Sequence, residues 1–320
     1  LARMMPAMSH GRAIMLKFSQ RVLEMVSGRY LIALLLFLAL TIGAYAPAGQ
    51  QIGPPATAQI TLGGRGDSVK FAVLGDAGTG ERPQYDIGNQ MATARTRFPF
   101  DFVIMLGDNL YGRQQPTDYL DKFERPYQAL LNAGVRFYAA LGNHDDAAVE
   151  QAYPQFNMNG SRYYTYVRKH VRFFVLDTNV LDPQQLAWAE SAMKDASEEW
   201  KVLYFHHPLY SNGDRHGSNV ELRVRLEPLF VQYGVDVVFS GHDHIYERIK
   251  PQKGITYFVA GAGGQLRKGG ITPSDLTASA FAQDQSFMLV EIAGNELVFQ
   301  AISRTGTVVD AGLLQKRPKT

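Results

Sequence analysis

The chain has 320 residues, of which 46% are apolar and 19% are charged, and its 32 basic and 30 acidic residues leave a formal net charge of +2. Because the basic residues form no run that could follow a phosphate backbone, we expect no nucleic-acid partner. The chain contains no cysteine. This excludes disulfides, thiolate metal sites and a cysteine nucleophile, so any metal must be held by oxygen and nitrogen donors.

The N-terminal segment has the features of an export leader. Basic residues precede an almost unbroken apolar run from Leu31 to Ala46. The run is shorter than the ~20 residues that normally span a bilayer, and Ala46-Pro47-Ala48 offers a small-x-small cleavage site. The pattern predicts a signal peptide over residues 1–48 in preference to an N-terminal membrane anchor. We therefore expect an exported protein, either periplasmic or secreted, with membrane contact only through an uncleaved leader. Residues 49–68 are typical of a linker, and 69–320 of a folded catalytic domain.

From Val69 onward the chain repeats one pattern, in which a short apolar run ends at a polar cluster and a helix-compatible segment follows. Short runs of β-forming residues bounded by glycine are typical of buried strands. Strands are predicted at Val69–Leu74, Phe102–Leu106, Val135–Leu141, Val202–Phe205 and Val235–Ser240, and helices at Gln84–Arg97, Thr117–Ala133, Pro183–Ala196 and Val220–Tyr233. The pattern predicts an α/β protein in which helices cover a buried sheet.

Further β-forming segments predict antiparallel hairpins. Tyr163–Val167 would pair with Val171–Leu176, and Ile255–Ala260 would pair with Met288–Ile292 and Leu297–Ile302. These hairpins predict a second sheet. In open α/β sheets, ligands bind in the crevice at the carboxyl ends of the strands, which is where the polar clusters would converge.

Histidines are concentrated in those polar clusters. Of the eight histidines, six lie at or just beyond strand ends: His144, His206, His207, His216, His242 and His244. One such histidine alone is more often a hydrogen-bonded structural residue than a ligand. Carboxylate, amide, phenol and imidazole donors together on converging loops indicate a site for iron, zinc or manganese. Two such cations ~3.5–4 Å apart would clamp the attacking and leaving oxygens of a phosphoryl displacement.

Five short motifs occur in a fixed order at the strand ends. They are GDAG (Gly75–Gly78), GDNLY (Gly107–Tyr111), GNHD (Gly142–Asp145), HHP (His206–Pro208) and GHDH (Gly241–His244). Between roughly Val69 and Arg304 they resemble the ordered signatures of calcineurin-like metallophosphoesterases. The resemblance implies two packed mixed β-sheets flanked by helices, with the active site at the carboxyl ends of the strands. Tyr111 is similar to the residue that binds ferric iron as a phenolate in purple acid phosphatases of the tartrate-resistant type.

Carried over position by position, the resemblance implies a dinuclear centre. Fe(III) would be bound by Asp76, Asp108, Tyr111 and His244, and a divalent metal, Fe(II), Zn or Mn, by Asp108, Asn143, His206 and His242. Asp108 would bridge the two cations. In GHDH, alternate residues of an extended segment would point both imidazoles toward adjacent metals and Asp243 away from them.

The remaining histidines are candidates for substrate binding and proton transfer. His144 and His216 would bind phosphate and protonate the leaving alkoxide, which an imidazolium does at mildly acidic pH. His207 stands where mammalian-type members usually carry tyrosine, and would line the phosphate pocket or simply pack. The implied activity is an acid phosphatase that hydrolyses small phosphate monoesters by in-line attack of a metal-bound hydroxide, without a phosphoenzyme. We expect a monomer.

Two alternatives stay open. The same metals and fold could act on phosphodiesters or nucleotides, which would require a pocket for the second ester group; Tyr111 argues against many of those relatives. A non-catalytic envelope binding protein on the same fold is the other alternative, and the complete ligand set argues against it.

Overall fold

The computed structural model describes residues 62–63 and 65–316. The predicted leader and most of the predicted linker lie outside these residues and stay predictions. Among the described residues, no helix has both the length and the apolar character needed to cross a membrane.

The described chain alternates strands and helices in its first two thirds and consists of strands in its last third. The strands are β1 (Val69–Leu74), β2 (Phe102–Met105), β3 (Arg136–Ala139), β4 (Tyr164–Arg168), β5 (Val171–Val175), β6 (Trp200–Tyr204), β7 (Val237–Ser240), β8 (Tyr246–Gln252), β9 (Ile255–Ala260), β10 (Thr277–Phe281), β11 (Ser286–Ala293), β12 (Glu296–Ser303) and β13 (Val308–Gln315). The helices are α1 (Arg82–Arg95), α2 (Pro116–Tyr119), α3 (Gln128–Asn132), α4 (Ala147–Glu150), α5 (Pro183–Lys194) and α6 (Val220–Gln232), with a π-helical turn at Leu120–Glu124 and a 3₁₀ turn at Pro154–Phe156.

The strands form two mixed sheets. The first has the order β13-β12-β11-β1-β2-β3, and the second has the order β10-β8-β9-β7-β6-β5-β4. In the first sheet β1, β2 and β3 are parallel, and in the second β5, β6, β7 and β9 are parallel. The predicted α/β class with two packed mixed sheets and flanking helices is therefore confirmed.

The main core lies between the two sheets and is rich in aromatic side chains. Phe71 and Phe102 of the first sheet each place their ring centroid 5.4 Å from that of Phe173 in the second. Both contacts are edge-to-face, the arrangement that aromatic quadrupoles favour. The outer face of each sheet is apolar as well and is covered by helices: α1 on the first sheet through Ile87 and Met91, and α5 and α6 on the second. The result is a helix–sheet–sheet–helix sandwich.

Two predictions about secondary structure are wrong. The single helix predicted over Thr117–Ala133 is broken into α2, a π-helical turn and α3, because Pro126 lacks an amide hydrogen and its ring clashes with a continuing helix. Ile255–Ala260 does not pair with Met288–Ile292. Instead it forms β9, parallel to β7 and antiparallel to β8 in the second sheet.

The remaining hairpin predictions are confirmed, since β4 pairs antiparallel with β5 and β11 with β12. The five strands that precede the polar motifs do not share one sheet, however. Three belong to the first sheet and two to the second. The polar loops must therefore meet across the seam between the sheets.

Candidate metal centre

The motif loops of the two sheets are joined by direct hydrogen bonds. Nδ1 of His206, which follows β6 in the second sheet, donates to the carbonyl oxygen of Leu106 after β2 in the first, at 2.9 Å. The amide of His242, after β7, donates to Oδ2 of Asp76, after β1, at 2.9 Å. These bonds close the seam at the carboxyl ends of the parallel strands.

Glycines allow the loops to approach this closely. Gly107 has a φ of +90°, and a Cβ there would lie 2.6 Å from the amide nitrogen of Gly142. A Cβ on Gly241 would lie 2.3 Å from Oδ2 of Asp76. Both distances are below van der Waals contact, so the glycine of each GD, GN and GH pair leaves room for the neighbouring loop.

Three of the predicted ligands have left-handed backbone conformations. The φ angles are 53° at Asp76, 50° at Asp108 and 68° at His242. Each costs a non-glycine residue roughly 1–2 kcal/mol, and such strain is concentrated at functional sites. The prediction that GHDH is extended is wrong, since the left-handed residue at its second position bends the segment.

One group of donors is dominated by oxygen, and we call Asp76, Asp108, Tyr111 and His244 the carboxylate half. Ligand atoms of the two aspartates and His244 all lie within 4.8 Å of one another. The phenolic oxygen of Tyr111 is 3.2 Å from Nε2 of His244 and 3.4 Å from Oδ1 of Asp76. All four side chains point into one small volume.

A second group is dominated by imidazole, and we call Asn143, His206, His207 and His242 the imidazole half. Nε2 of His206 lies 3.0 Å from Oδ1 of Asn143 and 3.1 Å from Nδ1 of His242. The three histidines have ligand atoms within 4.8 Å of one another. Asp108 adjoins this half too, because its Oδ1 is 3.4 Å from Nε2 of His206.

The ligand atoms of the two halves suit bound cations. Because Nδ1 of His206 donates to a carbonyl, Nε2 of the neutral ring carries a lone pair, and it faces the oxygens of Asn143 and Asp108. Acceptors that face one another at this distance call for a positive charge between them. Zinc, manganese and iron accept this donor set.

The two halves differ in electrostatics. Burial, and then the charge of Asp108, raises the pKa of Asp76 well above its ordinary value, and burial beside both carboxylates raises the pKa of Tyr111. In the imidazole half, burial lowers the pKa of His206, and burial together with the neighbouring imidazoles lowers the pKa of His242 to about 2. Burial thus favours the uncharged form of each side chain, which is the protonated form for Asp76 and Tyr111 and the unprotonated form for His206 and His242.

His144 and His216 lie on opposite sides of the centre. The ring of His144 is 4.9 Å from the ring of Tyr111 in the carboxylate half, and its amide donates to Oδ1 of Asp108 at 3.0 Å. The ring of His216 is 4.0 Å from the ring of His242 in the imidazole half. Both residues are exposed.

His207 is placed at the edge of the imidazole half. Its ring centroid is 4.4 Å from that of His242. Nδ1 lies 2.9 Å from the hydroxyl of Thr178, which also accepts the His207 amide hydrogen at 3.2 Å. Thr178 was not anticipated, because it lies in the loop after β5, which carries none of the five motifs.

Asp243 points away from the centre, into the loop of residues 211–219. It is 2% exposed. Its Oδ2 accepts from Ser211 Oγ at 2.6 Å and from the Gly217 amide at 3.1 Å, and its Oδ1 accepts from the His216 amide at 3.3 Å. Although GHDH is bent, Asp243 fixes the loop that carries His216.

The sequence interpretation missed a buried polar network behind the centre. Asp145 accepts from the amides of Asn109 and Gly142, each at 2.8 Å, and thereby connects the GDN loop to the GNH loop. The side-chain amide of Asn109 donates to Glu150 at 2.8 Å. Asp145 belongs to the GNHD motif, but no pattern in the sequence marks Glu150 as its neighbour. The network sets the relative positions of the loops that carry Asp108 and Asn143.

The two-sheet fold and the centre at the strand ends define a metallophosphoesterase. A sequence model of the calcineurin-like phosphoesterase family matches residues 69–246. Because this match spans more than half of the chain, the chain belongs to that family. The predicted resemblance is thus confirmed, and the family acts on phosphate esters through metal centres.

Curated relatives indicate which members of the family this chain is similar to. Purple acid phosphatase 17 of Arabidopsis thaliana is 26% identical over 242 residues, which are 64% of this chain and 71% of the relative. Tartrate-resistant acid phosphatase type 5 of Homo sapiens is 25% identical over 301 residues, or 79% of this chain and 92% of the relative. The chain is therefore similar to purple acid phosphatases along most of its length.

Solved structures show the same fold. GAP50, described as the anchor in the inner membrane complex of Plasmodium, has a TM-score of 0.67 at 20% identity, covering 79% of this chain and 90% of its own. Purple acid phosphatase PPD1 from yellow lupin (Lupinus luteus) has a TM-score of 0.65 at 17% identity, covering 78% of this chain and 54% of its own. At such identities the likeness concerns the fold alone.

Proposed function

We propose that the protein is an acid phosphatase of the purple type, which hydrolyses small phosphate monoesters at a dinuclear Fe(III) and divalent metal centre. The observation that carries the proposal is the position of Asp108. It belongs to the donor cluster of the carboxylate half and also lies 3.4 Å from His206 in the imidazole half. One carboxylate adjoining two donor sets is the arrangement needed to bridge two cations.

The residues of each half suit different metals. We assign Fe(III) to Asp76, Asp108, Tyr111 and His244, and Fe(II), Zn or Mn to Asp108, Asn143, His206 and His242. A phenol with a reference pKa of ~10 ionises near neutral pH only beside a large positive charge. The raised pKa of Tyr111 makes that requirement stricter here. Two bound cations would supply Lewis-acid charge for the phosphoryl oxygens and lower the pKa of water.

The protein's own groups would orient the substrate and move protons. His144 and His216 flank the centre and, as imidazoliums, would bind the phosphoryl oxygens and protonate the leaving oxygen. Partial burial lowers the pKa of His216, so its cationic form requires more acidic solution. This supports the proposed activity in acid. His207, positioned by Thr178, would contact the phosphoryl group from the imidazole side.

Elemental analysis of active protein, paired with rates on 4-nitrophenyl phosphate and bis(4-nitrophenyl) phosphate, tests the proposal. We expect one iron and one divalent metal in each chain, and faster hydrolysis of the monoester. Full activity without iron would remove the purple-type assignment. A preference for the diester would favour the phosphodiesterase alternative, and a metal-loaded protein without hydrolysis would favour a binding role.

A further inference from the structure

A cavity of about 420 Å³ opens beside the imidazole half. Its lining includes His207, Pro208, Arg215, His216, Ser218 and His242. Small-molecule sites typically occupy ~300–1,000 Å³, so the cavity has room for a leaving group as well as a phosphoryl group. Because His242 belongs both to the centre and to the lining, a leaving group extending past His216 would enter this space.

The lining of the cavity carries one fixed positive charge, that of Arg215. It contains Arg215 and three histidines and no carboxylate. The two neighbouring carboxylates are engaged elsewhere: Asp214 accepts from Thr272 Oγ1 at 2.7 Å, and Asp243 accepts from the hydroxyl and amides of its own loop. Among the described residues, Arg215 forms no ion pair. Its charge is available to a ligand.

The loop that carries Arg215 is fixed from behind by two buried carboxylates. Asp243 holds Ser211 and the amides of His216 and Gly217. Glu247, which is fully buried, accepts from the amide and the side chain of Asn212 at 2.8 and 2.7 Å. The loop also bonds to the next segment, since the amide of Asp214 donates to the Gly270 carbonyl at 3.1 Å. A guanidinium on such an anchored loop requires little further ordering of its backbone when it binds.

We propose that Arg215 determines substrate specificity by binding a second anionic group on the leaving group. The preferred substrates are then phosphomonoesters whose leaving group carries a carboxylate or another phosphate. A guanidinium binds either anion through two parallel hydrogen bonds. The inference rests on the proposed phosphatase function and adds the class of substrate to it.

Two matched pairs of substrates test the role of Arg215 in the metal-loaded enzyme. Glycerol 2-phosphate and 2-phosphoglycerate differ by a carboxylate on the leaving group, and fructose 6-phosphate and fructose 1,6-bisphosphate differ by a second phosphate. For each pair, the preference is the kcat/KM of the doubly anionic member divided by that of the other. We expect Arg215→Gln to reduce this preference about tenfold in one or both pairs, as the loss of a charge-assisted hydrogen bond would do.

Two further variants sharpen the test. Arg97→Gln removes an exposed arginine before the amino end of β2, away from the centre, and is expected to keep the wild-type preference. Arg215→Lys keeps the positive charge but lacks the planar guanidinium that forms two parallel hydrogen bonds, and is expected to give an intermediate preference. Thermal melting of each variant shows that it is folded.

The outcomes separate this inference from the function on which it rests. A reduced preference in the first pair identifies a carboxylate, in the second a phosphate, and in both a general anion site. Hydrolysis of all four substrates with the same preference in wild type and Arg215→Gln overturns the role of Arg215 and leaves the phosphatase standing. If the wild-type enzyme hydrolyses 4-nitrophenyl phosphate but none of the four, the role of Arg215 is overturned and the phosphatase stands. If it does not hydrolyse 4-nitrophenyl phosphate either, both proposals are overturned.

Discussion

The carboxylate half and the imidazole half of the centre are built on the same edge of the molecule but with opposite chemistry. In the carboxylate half, burial keeps protons on Asp76 and Tyr111 by raising each pKa. In the imidazole half, burial removes protons from His206 and His242 by lowering each pKa. The same physical effect, desolvation of charge, therefore favours the neutral form in both halves, by retaining protons in one and removing them from the other.

This difference explains how one pocket could distinguish two metals. Oxygen donors that become anionic on binding favour a hard cation of high charge, whereas neutral imidazoles suit a borderline divalent metal. Asp108 is the residue that both halves share. The comparison makes three predictions: the first affects both halves, the second affects the carboxylate half alone, and the third contrasts the two.

Asp108→Asn should have the largest effect, because it removes charge from both halves at once. We expect loss of both metals and a fall in kcat/KM of at least about a thousandfold. Metal content and the rate on 4-nitrophenyl phosphate measure this. Asp101→Asn is the matched control, since Asp101 is exposed at the amino end of the same strand and should have little effect. Retention of both metals in Asp108→Asn would contradict a bridging role.

Tyr111→Phe should affect the carboxylate half alone. Without the phenolate, we expect the violet or pink colour of phenolate-to-iron charge transfer to disappear and iron affinity to fall about tenfold to a hundredfold. Visible absorption and competition with a chelator report the two changes. Tyr163→Phe is the control, because Tyr163 packs against Trp188 at 4.9 Å and lies outside both halves. If the colour survives in Tyr111→Phe, the assignment of Tyr111 as the phenolate ligand of Fe(III) is refuted.

The smallest expected effect concerns the number of protons that the metal-depleted protein releases when it binds cations. A raised pKa leaves Asp76 and Tyr111 protonated before binding, so metal uptake there releases protons and weakens as pH falls. His206 and His242 have lowered pKa values, hold no proton to displace, and should bind independently of mild acidification. Titration calorimetry in buffers of different ionisation enthalpy counts the protons. Tyr111→Phe should release about one proton fewer, and an unchanged count would contradict the comparison.

Much of the fold follows from local sequence signals. Short apolar runs that stop at glycine and a polar residue correctly predicted β1, β2, β3, β6 and β7. A buried strand must be apolar, and glycine allows the backbone conformations that the following turn requires. Prediction was weaker where local signals compete. Apolar residues at helical spacing favoured one helix over Thr117–Ala133, yet Pro126 breaks it. The strand β9 was recognised, but its partners were not, since pairing depends on segments far apart in the chain.

The donor types of the centre and their order along the chain are properties of the sequence alone, because each motif is local and its chemistry belongs to its side chains. Only the tertiary structure decided that the motifs meet across a seam between two sheets, with left-handed backbone at Asp76, Asp108 and His242. It also decided that Asp243 and Glu247 would hold the loop presenting Arg215 and His216. Burial, pKa and cavity shape arise from packing between residues that are distant in sequence, and no local pattern specifies them.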